Sequence, residues 1–447
     1  EYTELSCDEI TMGVEREMDT KANRFRIKRR RILLAVDVPA FGYATYALRF
    51  RGPEFVYEPQ IGDNRKLIAR DCGVLENENL KVVIHPNGTF AITNKKTGKV
   101  MDNLHYFTDS GETGSAHVSC EPTRNYVVTS HGAHATITMM ESNLQRGTFR
   151  IDLSMMIPAA ATLDSKERLT EMKELPITYY ITLEKDSDIV KIKTVLDNEC
   201  RDHKLCVNFP TGVNTDWAIS ESAWDVAKRT IKWTEDGDNQ EKFFPFQPMQ
   251  NFLDLSDGKE GFALLNKGLR EYEVQDDEQR TIKLTLLRTQ RAYMTAAWDM
   301  IPEELAKYTG QHSIGKMEFE YAIYPHTGDW KDAEVYHKAY AFKTTMNAIK
   351  GVVKEGTLPV SGSFVTISDD RIMTSAIKQS EDGKGTIVRI FNTTGDAVKF
   401  DLSTILPVSK VEEVKLNEDF VADVDFKDGK LSGELGPHKI ITYKFMA

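Results

Sequence analysis

The chain has 447 residues, of which 28% are charged and 40% apolar, and its formal net charge is −11. That length accommodates two or three domains, each with its own core, and the acidic balance argues against nucleic acid as the main partner. The best apolar run, residues 32–41, is interrupted by Asp37 and is far shorter than a membrane-crossing helix of about 20 residues, so no membrane partner is expected.

In chain order, residues 1–54 carry a few strands that end at Val38-Pro39-Ala40-Phe41-Gly42-Tyr43. The basic run Arg26-Ile27-Lys28-Arg29-Arg30-Arg31 reads as a charged strand face or a linker in preference to a binding patch. The Leu80–Ile84 run alternates, Pro86-Asn87-Gly88 turns, and residues 89–93 return. Asn-Gly between alternating runs is the strongest local hairpin signal. Lys95-Lys96-Thr97-Gly98 supplies the next turn, and residues 148–156 form a further strand. Residues 177–183 and 189–196 read as strands around the turn at 185–188. Residues 252–274 read as strand, turn, strand, turn, strand, punctuated by Asp257-Gly258 and Asn266-Lys267-Gly268. Strands also fit residues 281–287 and 317–323.

Few segments have helical spacing. One helix is predicted to start at Gly328-Asp329-Trp330 with Asp329 as its N-cap. Trp330, Ala333, Tyr336, His337, Tyr340 and Ala341 then share a face. A second short helix fits residues 302–308, and residues 351–359 read as a connector. Strands recur at 386–391, 398–402, 411–416 and 440–445, a spacing that suits a small β-sandwich. The fold class is all-β: an N-terminal β segment (1–54), a large β domain (55–348) and a C-terminal β-sandwich (349–447).

Chemistry is harder to find. The five cysteines, Cys7, Cys72, Cys120, Cys200 and Cys206, are odd in number and lack CxxC spacing. Free thiols point to a reducing compartment, and a cytoplasmic protein is expected. The chain starts at Glu1 and is read as a fragment or processed chain. His131 and His134 form HGAH, only two ligands of the three or four a zinc site takes, and Cys200, His203 and Cys206 form C-x2-H-x2-C, which no fourth ligand follows. No GxSxG, phosphate-binding loop or dinucleotide fingerprint is present. Carboxylate pairs such as Glu76 and Glu78, or Asp369 and Asp370, are too common among 68 acidic residues to identify a glycosidase pair.

Several segments, taken in order, resemble the C-terminal half of the glycoside hydrolase family 38 α-mannosidases. Val38 to Tyr46 is similar to the family's VPxxGYxTY edge, and Glu221 to Val226 to its Ser-Ala-aromatic-Asp-Val strand. Asp254 to Tyr272 resembles DLSDG-x-x-G-x-A-x-LN-x-G-x-x-x-Y, and Leu286-Leu287-Arg288 a Leu-Leu-Arg strand. Tyr321 to Trp330 resembles Tyr-Ala-x-x-Pro-His-x-Gly-Asp-Trp, while residues 375–378 and 388–392 resemble the closing sandwich.

The resemblance implies a retaining enzyme for an α-mannoside carbohydrate, with a catalytic Asp, a second acid and a zinc ion. The family places all three on an N-terminal catalytic domain, which is expected to lie outside this chain. No catalytic residue or metal ligand is therefore assigned here. The large domain is expected to be a mutarotase-like β-supersandwich. Ser110 to His117 stands where the family has a glycine-rich acidic loop that leans on the active site, with Ser115 and His117 replacing its Asp and Tyr. His117 is the candidate donor to a sugar hydroxyl. Arg288, with Arg291 as an alternative, falls near a substrate-side arginine, whose rigid donors suit sugar oxygens. Trp298 and Trp330 fit either sugar stacking or core packing. A non-enzymatic carbohydrate-binding or scaffold module and a mutarotase-like enzyme are the other readings, and a homo-oligomer remains open.

Overall fold

A computed structural model describes residues 2–14, 23–47, 67–70, 73–232, 245–291, 309–351 and 355–446. Strand accounts for 54% of the structure and helix for 4%, so the fold is all-β. Trp298, Cys72 and the 302–308 segment lie outside the described residues.

The largest sheet has nine strands. One half is the antiparallel run Thr136–Ser142, Arg146–Pro158, Met172–Glu184 and Val190–Asn198. The other half is Glu260–Asn266, Phe252–Ser256, Trp217–Ser222 and Asp225–Thr230. Gly315–Thr327, the last of the nine in sequence, lies between Val190–Asn198 and Glu260–Asn266 and joins the halves.

A six-stranded sheet runs in the order Val128–Thr129, Tyr106–Gly111, His203–Phe209, Ile282–Arg288, Glu271–Val274, Gln247–Pro248. A five-stranded sheet spans residues 69–104. These two sheets and the nine-stranded sheet share one continuous core, which includes Leu75, Phe90, Phe107, Tyr179, Phe209 and Phe262. Where only one face of a strand is buried the burial alternates, as in Leu80–Ile84, whereas central strands such as His203–Phe209 and Glu260–Asn266 are buried on both faces.

The hairpin at residues 80–94 forms as the Asn-Gly turn predicts, with Gly88 at φ 88° and the Tyr179 hydroxyl donating to its carbonyl. A Cβ at Gly88 would come within 2.5 Å of that hydroxyl oxygen, so this position requires glycine. Residues 252–274 hold a difference from the local reading. Phe252–Ser256 and Glu260–Asn266 pair as expected, but Glu271–Val274 leaves for the six-stranded sheet. The segment therefore crosses from one layer of the sandwich to the other.

The outer face of the nine-stranded sheet carries a second core. Phe252, Leu265 and Tyr324 meet Trp330, Val335, Tyr336, Ala339 and Phe342, and also Met373 and Phe391 of the C-terminal region. Trp330 is buried there against Phe252, so it is a packing residue. The helix is Val335–Lys343, several residues later than predicted. Asp329 accepts from the Lys331 and Asp332 N–H groups at 2.8 and 3.0 Å and so organises a turn, not the helix start. Glu334 at φ 50° separates the two and resets the helical phase, which leaves Ala341 exposed and buries Phe342.

The C-terminal region has a three-stranded and a five-stranded sheet around Val388, Ile390, Phe400, Leu402 and Tyr443. Gly42–Ala44 pairs with Ser361–Ser363, so the end of the N-terminal segment joins this region. Tyr2–Val14 and Asn23–Leu34 form a separate two-stranded sheet, and the basic run lies along its second strand. The run therefore lies in a strand and not in a linker.

Candidate functional site

Register brings the candidate residues to one end of the six-stranded sheet. His203 pairs with Gly111, and Lys204 pairs with both Ser110 and Arg288. The loop after Gly111 and the chain after Arg288 therefore leave the sheet side by side.

The loop is a small hairpin. The Thr113 N–H donates to the Cys120 carbonyl at 2.7 Å, and the Ser115 N–H to the Val118 carbonyl at 2.9 Å. The Ser115 hydroxyl accepts from the His117 and Val118 N–H groups, both at 3.3 Å, a Ser-type turn that shapes the tip. A Cβ at Gly114 would meet the Val118 carbonyl and lie 2.7 Å from Glu112 Oε1, so the hairpin needs glycine there. Residues 111–115 are buried, whereas Ala116 and His117 are exposed at the tip.

Arg288 backs this tip. Its Nη1 donates to the Ser115 carbonyl at 3.0 Å and its Nη2 to the Ala116 carbonyl at 3.3 Å, with Glu112 Oε2 at 3.7 Å from Nη1. Arg291 is placed differently. Its guanidinium donates to Asp202 Oδ2 at 2.7 Å, to the Thr162, Leu163 and Ala161 carbonyls, and to Ser165 Oγ. Its Nε completes the set on Asp202 Oδ1 at 3.3 Å. With every edge of the fork engaged by protein, Arg291 braces the site and presents no donor outward.

Below the loop lies a buried ionic network that sequence reasoning missed. Asp109 is fully buried and accepts from Arg168 Nη2 at one oxygen. His203 Nδ1 is 2.6 Å from the other oxygen. His203 Nε2 is 3.1 Å from Asn198 Oδ1, so both ring nitrogens have protein partners. Cys206 is on the opposite face of the strand, near Thr285 Oγ1 at 3.8 Å. The C-x2-H-x2-C spacing therefore does not bring its three residues together. His131 stacks on Tyr106 with ring centroids 4.1 Å apart. Glu76 is paired with Arg70 and Lys95, each at 3.0 Å, and Asp369 with Arg371 at 2.7 Å.

The outer face of the same sheet is polar. Lys204 is buried, 2.8 Å from Glu271 Oε1, with its ammonium 3.0 Å from the centre of the Phe246 ring. Burial pushes the Glu271 carboxyl up, but Lys204 and the Thr285 hydroxyl outweigh it and hold it below the ordinary range. Charge pairs thus fix the base of the loop, and the imidazole of His117 is exposed at its tip.

Two family descriptions match in order. The "Glycosyl hydrolases family 38 C-terminal domain" matches residues 75–292, and the "Glycosyl hydrolases family 38 C-terminal beta sandwich domain" matches 371–443. A "Putative mannosylglycerate hydrolase" of Halalkalibacterium halodurans is 27% identical over 422 residues, covering 90% of this chain and 45% of that protein. Human "Alpha-mannosidase 2C1" is 26% identical over 247 residues, covering 54% of this chain and 21% of its own. The fold matches the crystal structure of an alpha-mannosidase from Enterococcus faecalis V583 with a TM-score of 0.79 and 23% identity. That match covers 99% of this chain and 49% of the other. The chain spans about half the length of the first of these relatives. With two family domains in the family's own order, the chain belongs to the glycosyl hydrolases of family 38 and corresponds to their C-terminal part.

Proposed function

We infer that this chain is the C-terminal β part of a retaining α-mannosidase and completes an active site carried by an N-terminal catalytic domain of the same protein. The observation that carries the reading is the ordered match to both C-terminal family domains. The substrate is an α-mannoside carbohydrate. His117, at the tip of the braced hairpin, donates to a sugar hydroxyl. Arg288 holds the tip from behind at the edge of the same surface, and Arg291 supports the strand end.

The zinc ion and the catalytic carboxylates belong, in this reading, to the N-terminal domain. Among the described residues, no group of three or more His, Cys, Asp or Glu is placed to hold a metal. The middle domain, 55–348, is taken as a mutarotase-like supersandwich between the N-terminal segment 1–54 and the sandwich 349–447. The free thiols support a cytoplasmic setting. No helix among the described residues is long and apolar enough to cross a membrane. Light scattering on the purified protein tests for a homo-oligomer.

The decisive experiment is hydrolysis of 4-nitrophenyl α-mannopyranoside by the complete gene product. Activity is expected, with loss on chelation and recovery on adding zinc. Metal-free hydrolysis by residues 1–447 alone would overturn the reading.

A further inference from the structure

We propose that Glu112 is a positioning residue for the sugar contact at His117; this rests on the reading above that His117 touches substrate. Glu112 is 1% exposed, five residues before His117, and its carboxylate lies inside the hairpin. Oε1 accepts from the Gly114 N–H at 2.8 Å on one arm and from the Cys120 N–H at 3.0 Å on the other. Oε2 accepts from Ser119 Oγ at 2.5 Å, and Arg288 Nη1 stands 3.7 Å away. One carboxylate thus ties both arms of the hairpin to each other and faces the end of the strand that carries Arg288. Charge-assisted bonds of this kind are shorter and stronger than neutral ones.

The exposed tip depends on that group at second hand. Arg288 holds the Ser115 and Ala116 carbonyls, and it is itself drawn toward Glu112. A hairpin closed only by backbone bonds has other ways to seat its tip. With a buried carboxylate at its centre, it has one arrangement in which every donor is met, and the imidazole position follows from it. Glu112 touches no substrate itself. It sets where the touching residue stands, in the way supporting groups fix any binding constellation.

The test uses E112Q, H117Q and the double variant in the complete gene product, assayed on 4-nitrophenyl α-mannopyranoside. The amide keeps the volume of Glu112 and one acceptor oxygen for the Gly114 and Cys120 N–H groups, but it removes the charge opposite Arg288 and turns a donor toward Arg288 and Ser119. Each single variant is expected to raise KM about tenfold with kcat within about twofold, the mark of a binding contact made equally before and at the transition state. The double variant is expected to be no worse than H117Q, because Glu112 acts through His117. Multiplied effects, or an unchanged KM in E112Q beside a raised one in H117Q, overturn the proposal. An unchanged KM in H117Q instead overturns the reading of His117 on which it rests. Should E112Q fail to fold, S119A removes one hydroxyl from the same carboxylate. It is expected to raise KM about threefold and to lower the melting temperature slightly, since the carboxylate loses one hydrogen bond, and an unaltered KM there also overturns the proposal.

Discussion

Two regions of this molecule bury carboxylates, and they use them in opposite ways. At the loop end of the six-stranded sheet, Asp109, Glu112 and Asp202 are met by cations and backbone donors that converge on a short surface hairpin. On the outer face of the nine-stranded sheet, Glu221 accepts from the Tyr336 and Tyr340 hydroxyls at 2.9 and 3.0 Å, and from the Asn251 N–H at 2.9 Å. Nearby, Asp254 and His326 pair at 2.7 Å between neighbouring parts of the same sheet. The first set shapes a surface. The second joins layers, because Tyr336 and Tyr340 belong to the helix that also packs against the C-terminal region. The comparison teaches that buried charge by itself does not mark a functional site; what distinguishes the loop is an exposed tip at the end of the network.

The largest expected effect would separate the two directly. Arg168→Met leaves Asp109 charged and without its guanidinium, and breaking such a buried pair costs about 3–5 kcal/mol. Urea unfolding is expected to show the loss, and an unchanged midpoint would remove the network from the account of the loop.

Next comes acid sensitivity in the core that lies behind both regions. His105 is buried among Phe90, Phe107 and Tyr179, and burial pushes its pKa down to about 3 from 6.5. The folded pKa is depressed, so below about 6.5 the unfolded chain takes up a proton that the folded chain refuses. The stability is fully present above pH 6.5 and is lost as pH falls toward 3, by about 2 kcal/mol at pH 5. Urea midpoints across that window should fall for the native chain and stay flatter for His105→Phe; equal slopes would count against a neutral buried imidazole.

On the joining side, Tyr340→Phe removes one of two hydroxyls from Glu221 Oε1. Burial, followed by the Glu221 carboxylate, pushes the Tyr340 phenol up to about 12, so it stays a donor at neutral pH. About 1 kcal/mol is expected to be lost, read by thermal melting, with KM for an α-mannoside unaltered. A changed KM would erase the division between shaping and joining. Smallest is Asp225→Asn. Asp225 meets His438 at 3.0 Å, and both are partly open to solvent. Less than about 1 kcal/mol is expected, shrinking as salt is added; a larger, salt-independent loss would make this pair part of the joint.

How much of this was legible depended on whether the deciding partner was local. The hairpin at 80–94 was readable because Asn87-Gly88 sets the turn and alternation sets the faces. Residues 252–266 were readable from the Asp257-Gly258 turn, although their strands are buried on both faces and do not alternate. The departure of Glu271–Val274 was not, since Gly268 announces a change of direction without saying which sheet receives the strand. The helix register was lost at Glu334, whose left-handed backbone no side-chain pattern announces. In the site, His117 and Arg288 came from family resemblance, and the structure puts them at one hairpin. Glu112 was hidden among 68 acidic residues because most of its donors are backbone N–H groups, which leave no trace in composition. Asp109, Arg168 and His203 are far apart in the chain; strand register sets Asp109 beside His203, and the loop before Met172 brings Arg168 to them.

The position of Gly315–Thr327 has a consequence for how this molecule is made. The two halves of the nine-stranded sheet, residues 136–198 and 217–266, each end on a strand whose free edge is covered, among the described residues, by 315–327. On a ribosome working from the N-terminus, both edges stay open until that strand emerges. Such pairings, distant in sequence, form late, and open edges invite pairing with other chains in the meantime. Truncation before residue 315 should therefore yield aggregates rather than a smaller sandwich, and the yield of soluble protein should depend on synthesis rate and chaperone supply more than on the stability of the finished fold.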